Sequence, residues 1–76
     1  MSYIDLQKIT LGKRIRLIML LNDARQIDLA NLLKVSRPAI TQKLARNSFS
    51  TAEIAELADF FHVSTDFLLG REDEAE

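Results

Sequence analysis

The segment Gln26-Ile27-Asp28-Leu29-Ala30-Asn31-Leu32-Leu33-Lys34-Val35-Ser36-Arg37-Pro38-Ala39-Ile40-Thr41-Gln42-Lys43-Leu44 decides how this chain reads. Its spacing predicts two short helices joined by a tight turn, with Leu29, Ala30, Leu33, Val35, Ile40 and Leu44 pointing inward. Ser36 is suited to cap the second of these helices, because its hydroxyl accepts an orphan backbone N–H. Pro38 falls in the first turn, where its missing N–H costs nothing. That helix, read over 36–45, opens with a polar and cationic face: Ser36, Arg37, Thr41, Gln42 and Lys43. Ala30 places a small side chain where two steeply crossing helices bring their backbones together. A pair of helices so built lets one of them project from a compact body into a DNA groove.

The rest of the chain sets bounds on that reading. Seventy-six residues make one domain, and a chain this short buries only about 60% of its unfolded surface, so every helix contributes to a single core. A hydrophobic share of 47% with 28% charged residues belongs to a folded globular chain. Cysteine is absent, which excludes disulfides and thiolate metal sites; the single His62 builds no metal cluster, and no cofactor is expected. The aliphatic run Leu17 to Leu21 is too short for a membrane span or a signal-peptide core, so a cytoplasmic protein without a membrane partner is expected.

A net charge of −1 argues against a nucleic-acid partner until it is divided along the chain. Residues 8–46 carry Lys8, Lys13, Arg14, Arg16, Arg25, Lys34, Arg37, Lys43 and Arg46 against only Asp23 and Asp28, a local +7. Residues 47–70 hold no Lys or Arg, and Glu53, Glu56, Asp59 and Asp66 make them −4. The tail from Arg71 adds one positive and four negative charges. Phosphate responds to the local field and not to the global balance.

Five helices account for nearly the whole chain. The first is predicted from about Thr10 to Leu21 or Asn22, with Leu11, Ile15 and Ile18 facing the core. The second spans roughly Gln26 to Leu33, and the third ends near Ala45. Asn47 is the residue of the following loop best suited to a left-handed conformation. Ser50 and Glu53 form a capping box for the fourth helix, whose stripe is Ile54, Leu57, Ala58 and Phe61. Ser64 caps a short fifth helix over Thr65 to Leu69, and Gly70 stops it. Residues 1–9 either extend the first helix or fold back as an arm; 10–70 form the domain; 71–76 form an acidic tail expected to fray.

Taken in order, Leu-Gly-Lys-Arg-Ile-Arg (Leu11 to Arg16), Gln-x-x-Leu-Ala-x-x-Leu (Gln26 to Leu33), Val-Ser-Arg-Pro-Ala-Ile (Val35 to Ile40) and Val-Ser-x-Asp-Phe-Leu-Leu-Gly (Val63 to Gly70) resemble the helix-turn-helix domains of the lambda repressor and Cro type. The resemblance covers roughly residues 10–71. It implies a compact five-helix all-α fold, dimeric binding to a short inverted repeat, and repression of transcription in a phage or bacterium. The chain departs from the family pattern in three places. Lys34 stands where a glycine is usual in the turn, a left-handed position that costs a side-chain-bearing residue about 1–2 kcal/mol. Arg25 replaces the usual Ser or Thr cap, so either Asp23 caps the second helix one turn early or that end is loose. Lys43 stands where an apolar residue is common, with Leu44 one residue on, which suggests a slightly rotated third helix.

In the docking that the resemblance implies, Arg37 presents its fork to guanine O6 and N7, Gln42 pairs with adenine, and Thr41 meets a thymine methyl or a phosphate. Gln26 and Ser36 clamp phosphate oxygens, aided by helix-terminal N–H groups. Lys43, Arg46 and Asn47 lie near the DNA backbone. Lys13, Arg14 and Arg16 are weaker candidates, one of which is expected to pair with Asp28 or an acid of the fourth helix.

A second surface is apolar. The first helix runs Leu17, Ile18, Met19, Leu20, Leu21, and a helix apolar all round must bury another face. Leu17, Leu20, Leu21, Phe60 and Leu69 are therefore candidates for a protein-interaction surface, either a homodimer seam or a site for another regulatory protein. The alternative is that Tyr3, Ile4 and Leu6 cover the first helix within the monomer. An enzyme is not expected: Glu53, Glu56 and Asp59 share one exposed helix face, and His62 has no partner at a fixed spacing. The competing function is an antitoxin or anti-repressor that carries the same motif and acts through its apolar first helix.

Overall fold

The computed structural model describes residues 9–71. They form five helices and, among the described residues, no strand: α1 (Leu11–Leu21), α2 (Gln26–Leu33), α3 (Arg37–Arg46), α4 (Thr51–Phe61) and α5 (Thr65–Leu69). Residues 1–8, including Tyr3, Ile4, Leu6 and Lys8, and the tail 72–76 lie outside the described residues.

Local chemistry explains where most helices start. The hydroxyls of Ser36, Ser50 and Ser64 accept the backbone N–H groups of Ala39, Glu53 and Phe67 at 3.2, 3.1 and 2.9 Å. Thr10 is a cap and not the first helical residue, its hydroxyl accepting from Lys13 N at 3.2 Å. At α2 neither expected arrangement occurs. Arg25 is the N-cap, and the Asp28 carboxylate reaches back to accept the Arg25 N–H at 2.8 Å. The acid three residues into the helix thus supplies the half of a capping box that a carboxylate can make. Asp23 instead takes a left-handed conformation, with φ 55°.

All five helices stop in one way. Asp23, Lys34, Asn47, His62 and Gly70 have φ between 55° and 74°, and the residue after each donates its N–H five residues back. These bonds are Ala24 to Met19, Val35 to Ala30, Ser48 to Lys43, Val63 to Ala58 and Arg71 to Asp66. The left-handed residue turns the chain so that orphan carbonyls of the last turn are satisfied. Ala24, Val35 and Val63 then pack against the core, the apolar contact that accompanies this stop.

Ile15, Ile18, Met19, Leu29, Ala30, Ile40, Leu44, Ile54, Leu57, Ala58, Phe61 and Leu68 form the core. Leu11, Leu33 and Val35 are half-buried at its edge. Helix α1 packs on α3 and α5, and α2 on α3 and α4. The tightest approach is between α1 and α3: a Cβ on Gly12 would lie 1.9 Å from the Leu44 carbonyl oxygen. Across the same contact Asn47 Oδ1 accepts the Gly12 N–H at 2.7 Å. Buried Arg14, 4% exposed, lies with its guanidinium 5.7 Å from the Phe67 ring centre, joining α1 to α5. No described helix is long and apolar enough to cross a membrane.

Candidate nucleic-acid interface

Helix α3 is held by a narrow stripe and open elsewhere. Ile40 and Leu44, one turn apart, are buried, whereas Arg37, Pro38, Thr41, Gln42, Ala45 and Arg46 are exposed. The cap residues Ser36 and Asn47 are exposed as well. An i, i+4 anchor leaves more than half the circumference of a helix uncovered, and here that part contains the polar and cationic residues.

The candidate readers Arg37, Thr41 and Gln42 come together on this outer face. Thr41 donates its hydroxyl to Gln26 Oε1 at 2.5 Å, which ties the first turn of α2 to α3. Gln26 and Thr41 thus form a cross-helix pair, and the amide donors of Gln26 stay available to a ligand. Arg37 and Arg46 form no ion pair with a carboxylate among the described residues. Arg46, Gln42, Lys43, Ala39 and Ser48 line an open cleft of about 250 Å³ beside the helix.

Three candidate cations are placed differently from one another. Arg14 is not a backbone-facing cation: α5 closes over it, and burial against Phe67 withdraws it from solvent. Asp28 pairs loosely with Arg25 at 3.9 Å and with none of Lys13, Arg14 or Arg16. Lys43 is half-buried, its ammonium 3.1 Å from the Glu53 carboxylate and 5.9 Å from the Phe49 ring centre. The Ser50 N–H holds the Glu53 carboxyl below the usual carboxylate range; burial opposes it, and the hydrogen bond and charge of the Lys43 ammonium act in the same direction as Ser50.

Asn47 combines three roles in one residue. It adopts the left-handed stop of α3, binds the start of α1, and remains exposed at the edge of the outer face. Its left-handed tendency is local and legible; its hydrogen bond to a residue 35 positions away is not. Gly12 carries no assigned role in the sequence beyond its place in the Leu11 to Arg16 motif; its signal is a glycine inside a predicted helix, where it costs about 1 kcal/mol relative to alanine.

The apolar candidates fall into two places. Leu20 and Leu21 are 73% exposed at the end of α1, Leu17 is half-buried, and Phe60 and Leu69 are about 40% exposed on α4 and α5. Ile27 is exposed to the same degree on α2. Searches of family models, of curated proteins and of solved structures find no match to this chain.

Proposed function

We propose that this chain is a sequence-specific DNA-binding regulator of the lambda repressor and Cro helix-turn-helix type, acting as a repressor and binding an inverted repeat as a homodimer. The observation that carries the reading is the uncovered outer face of α3, where Arg37, Thr41, Gln42 and Arg46 are exposed above a two-residue anchor. In this reading α3 enters the major groove by its N-terminal half. Arg37 and Gln42 contact base edges, and Thr41 a thymine methyl or a phosphate. Ser36, Gln26, Arg46 and Asn47 face phosphates and set the register of the helix. Lys43 is left out of that set, because its charge is held by Glu53.

Selection from a random duplex library, followed by sequencing, tests the reading directly. An inverted repeat with half-sites about 34 Å apart is the expected product. Recovery of unenriched sequence would overturn it. About six phosphate contacts per domain give a log–log salt slope near −5, and a nearly flat slope would contradict the electrostatic part. A second reading, an antitoxin or anti-repressor working through protein contacts, is favoured by one observation, the exposure of Leu20 and Leu21. Sedimentation separates the two uses of that surface. A chain that stays monomeric at high concentration and on its operator has no homodimer seam.

A further inference from the structure

Lys43 borders the cleft beside α3, yet its charge is turned to another part of the protein. Its Nζ lies 3.1 Å from both carboxylate oxygens of Glu53, and the two side chains are only 25% and 20% exposed. Glu53 in turn is fixed by a second duty. Its Oε1 accepts the Ser50 N–H at 3.0 Å, completing the capping box of α4. The carboxylate therefore sits where it is because α4 begins there, and it meets Lys43 across the α3–α4 junction. Phe49, under the Lys43 ammonium, closes the same corner from the loop.

We propose that Glu53 is an intramolecular competitor of the DNA backbone for Lys43, holding down the sequence-independent part of the affinity. This rests on the DNA-binding reading above. Attraction to phosphate is blind to sequence, so each cation offered to the backbone strengthens binding to any duplex. On the outer face Arg37 and Arg46 are offered; Lys43, between them along the helix, is withheld. The phosphate-facing edge of α3 is thereby kept one charge short of what its composition provides.

The test uses the full chain and a 30-base-pair duplex of random sequence, titrated by fluorescence anisotropy between 50 and 200 mM KCl. Glu53→Gln is the informative variant, because glutamine also serves in a capping box and keeps the start of α4. It is expected to bind the random duplex more tightly than the parent at low salt. Its log–log slope should steepen by about 0.9, so that it loses about 3–4-fold more affinity across that salt range. Lys43→Gln reads the same contact from the other side and should keep the parent slope, since a withheld cation has nothing to lose. The double variant should match Lys43→Gln.

An unchanged slope for Glu53→Gln, or a shallower one for Lys43→Gln, would overturn the proposal. So would a gain that persists in the double variant, because it would come from the missing negative charge and not from Lys43. In all three cases the parent still binds DNA and the broader reading stands. If neither the parent nor Glu53→Gln binds any duplex at 50 mM KCl, the DNA-binding reading and this inference fall together.

Discussion

The two ends of α3 are bound to the rest of the molecule by very different means. At its start, Ser36, Arg37, Pro38 and Thr41 are exposed, and a hydrogen bond from Thr41 to Gln26 ties this end to α2. At its far end, Lys43 is paired with α4, Asn47 binds the start of α1, and the Leu44 carbonyl presses against Gly12. The helix is mounted like a bracket, clamped behind and free in front. The clamped end uses its hydrogen-bonding groups within the protein, whereas at the free end Arg37 and Ser36 stand exposed. The ties that fix the helix to the rest of the fold are thus concentrated at its far end, although Arg46 and Asn47 there remain exposed.

The largest effect that sharpens this contrast is at the clamp. Gly12→Ala introduces a methyl group onto the Leu44 carbonyl, with backbone on both sides, so α1 and α3 must separate. A loss of about 3 kcal/mol is expected, which for a domain of this size lowers the melting temperature by on the order of 10–20 °C. In an unconstrained helix the same change stabilises by about 1 kcal/mol. A thermal melt therefore decides by sign, and a rise would break the clamp argument.

At the free end the expected loss is in binding and not in folding. Arg37→Ala should leave stability within about 0.5 kcal/mol of the parent. It should weaken the selected operator by about 1–3 kcal/mol and relax one base preference. Equal weakening on operator and random duplex would remove Arg37 from the readout.

A smaller effect compares two left-handed stops. Lys34 and Asn47 have nearly the same backbone angles, φ 60° and 56°. Lys34→Gly relieves a strained side-chain-bearing residue and should stabilise by about 0.5–1 kcal/mol. Asn47→Gly relieves similar strain but deletes the acceptor for Gly12, so it should not gain and is expected to lose. Denaturant midpoints that rise equally for both would show that the Asn47–Gly12 bond adds nothing.

The smallest effect is a pH dependence at the α3–α4 corner. The Glu53 carboxyl titrates lower in the folded chain than in the unfolded one, so its stabilisation is fully present above the ordinary glutamate range. It is lost as pH falls through the depressed folded value. The stability difference between the parent and Glu53→Gln should therefore shrink from pH 6 towards pH 3 in thermal melts. A constant difference would mean that Lys43 and Ser50 do not act through the carboxylate charge.

What the sequence made legible follows the range of each interaction. Serine caps at 36, 50 and 64 act over three residues, and all three appear. The left-handed Asn47 is likewise readable from the residue itself, whereas the left-handed Lys34 is expected only from the resemblance, in which a glycine is usual at that place. The repetition of helical spacing found Ile15, Ile18, Ile54, Leu57 and Phe61 in the core. What escaped depends on who is across the gap. Arg14 reads as a surface cation until α5 is folded over it, and Lys43 reads as a free charge until α4 brings Glu53 to it. Asp23 reads as an early cap for α2, but it takes the left-handed turn after α1, and the carboxylate that meets the Arg25 N–H is that of Asp28.

The repeated helix stop has a consequence for how this surface can change. The limits of α3 are set by Ser36 at one end and Asn47 at the other, and its depth by Ile40 and Leu44. Residues 37 and 42 take no part in any of these. In the proposed DNA-binding role, a lineage could therefore retune the preferred sequence by exchanging a few side chains, without renegotiating where the rod begins, ends or lies.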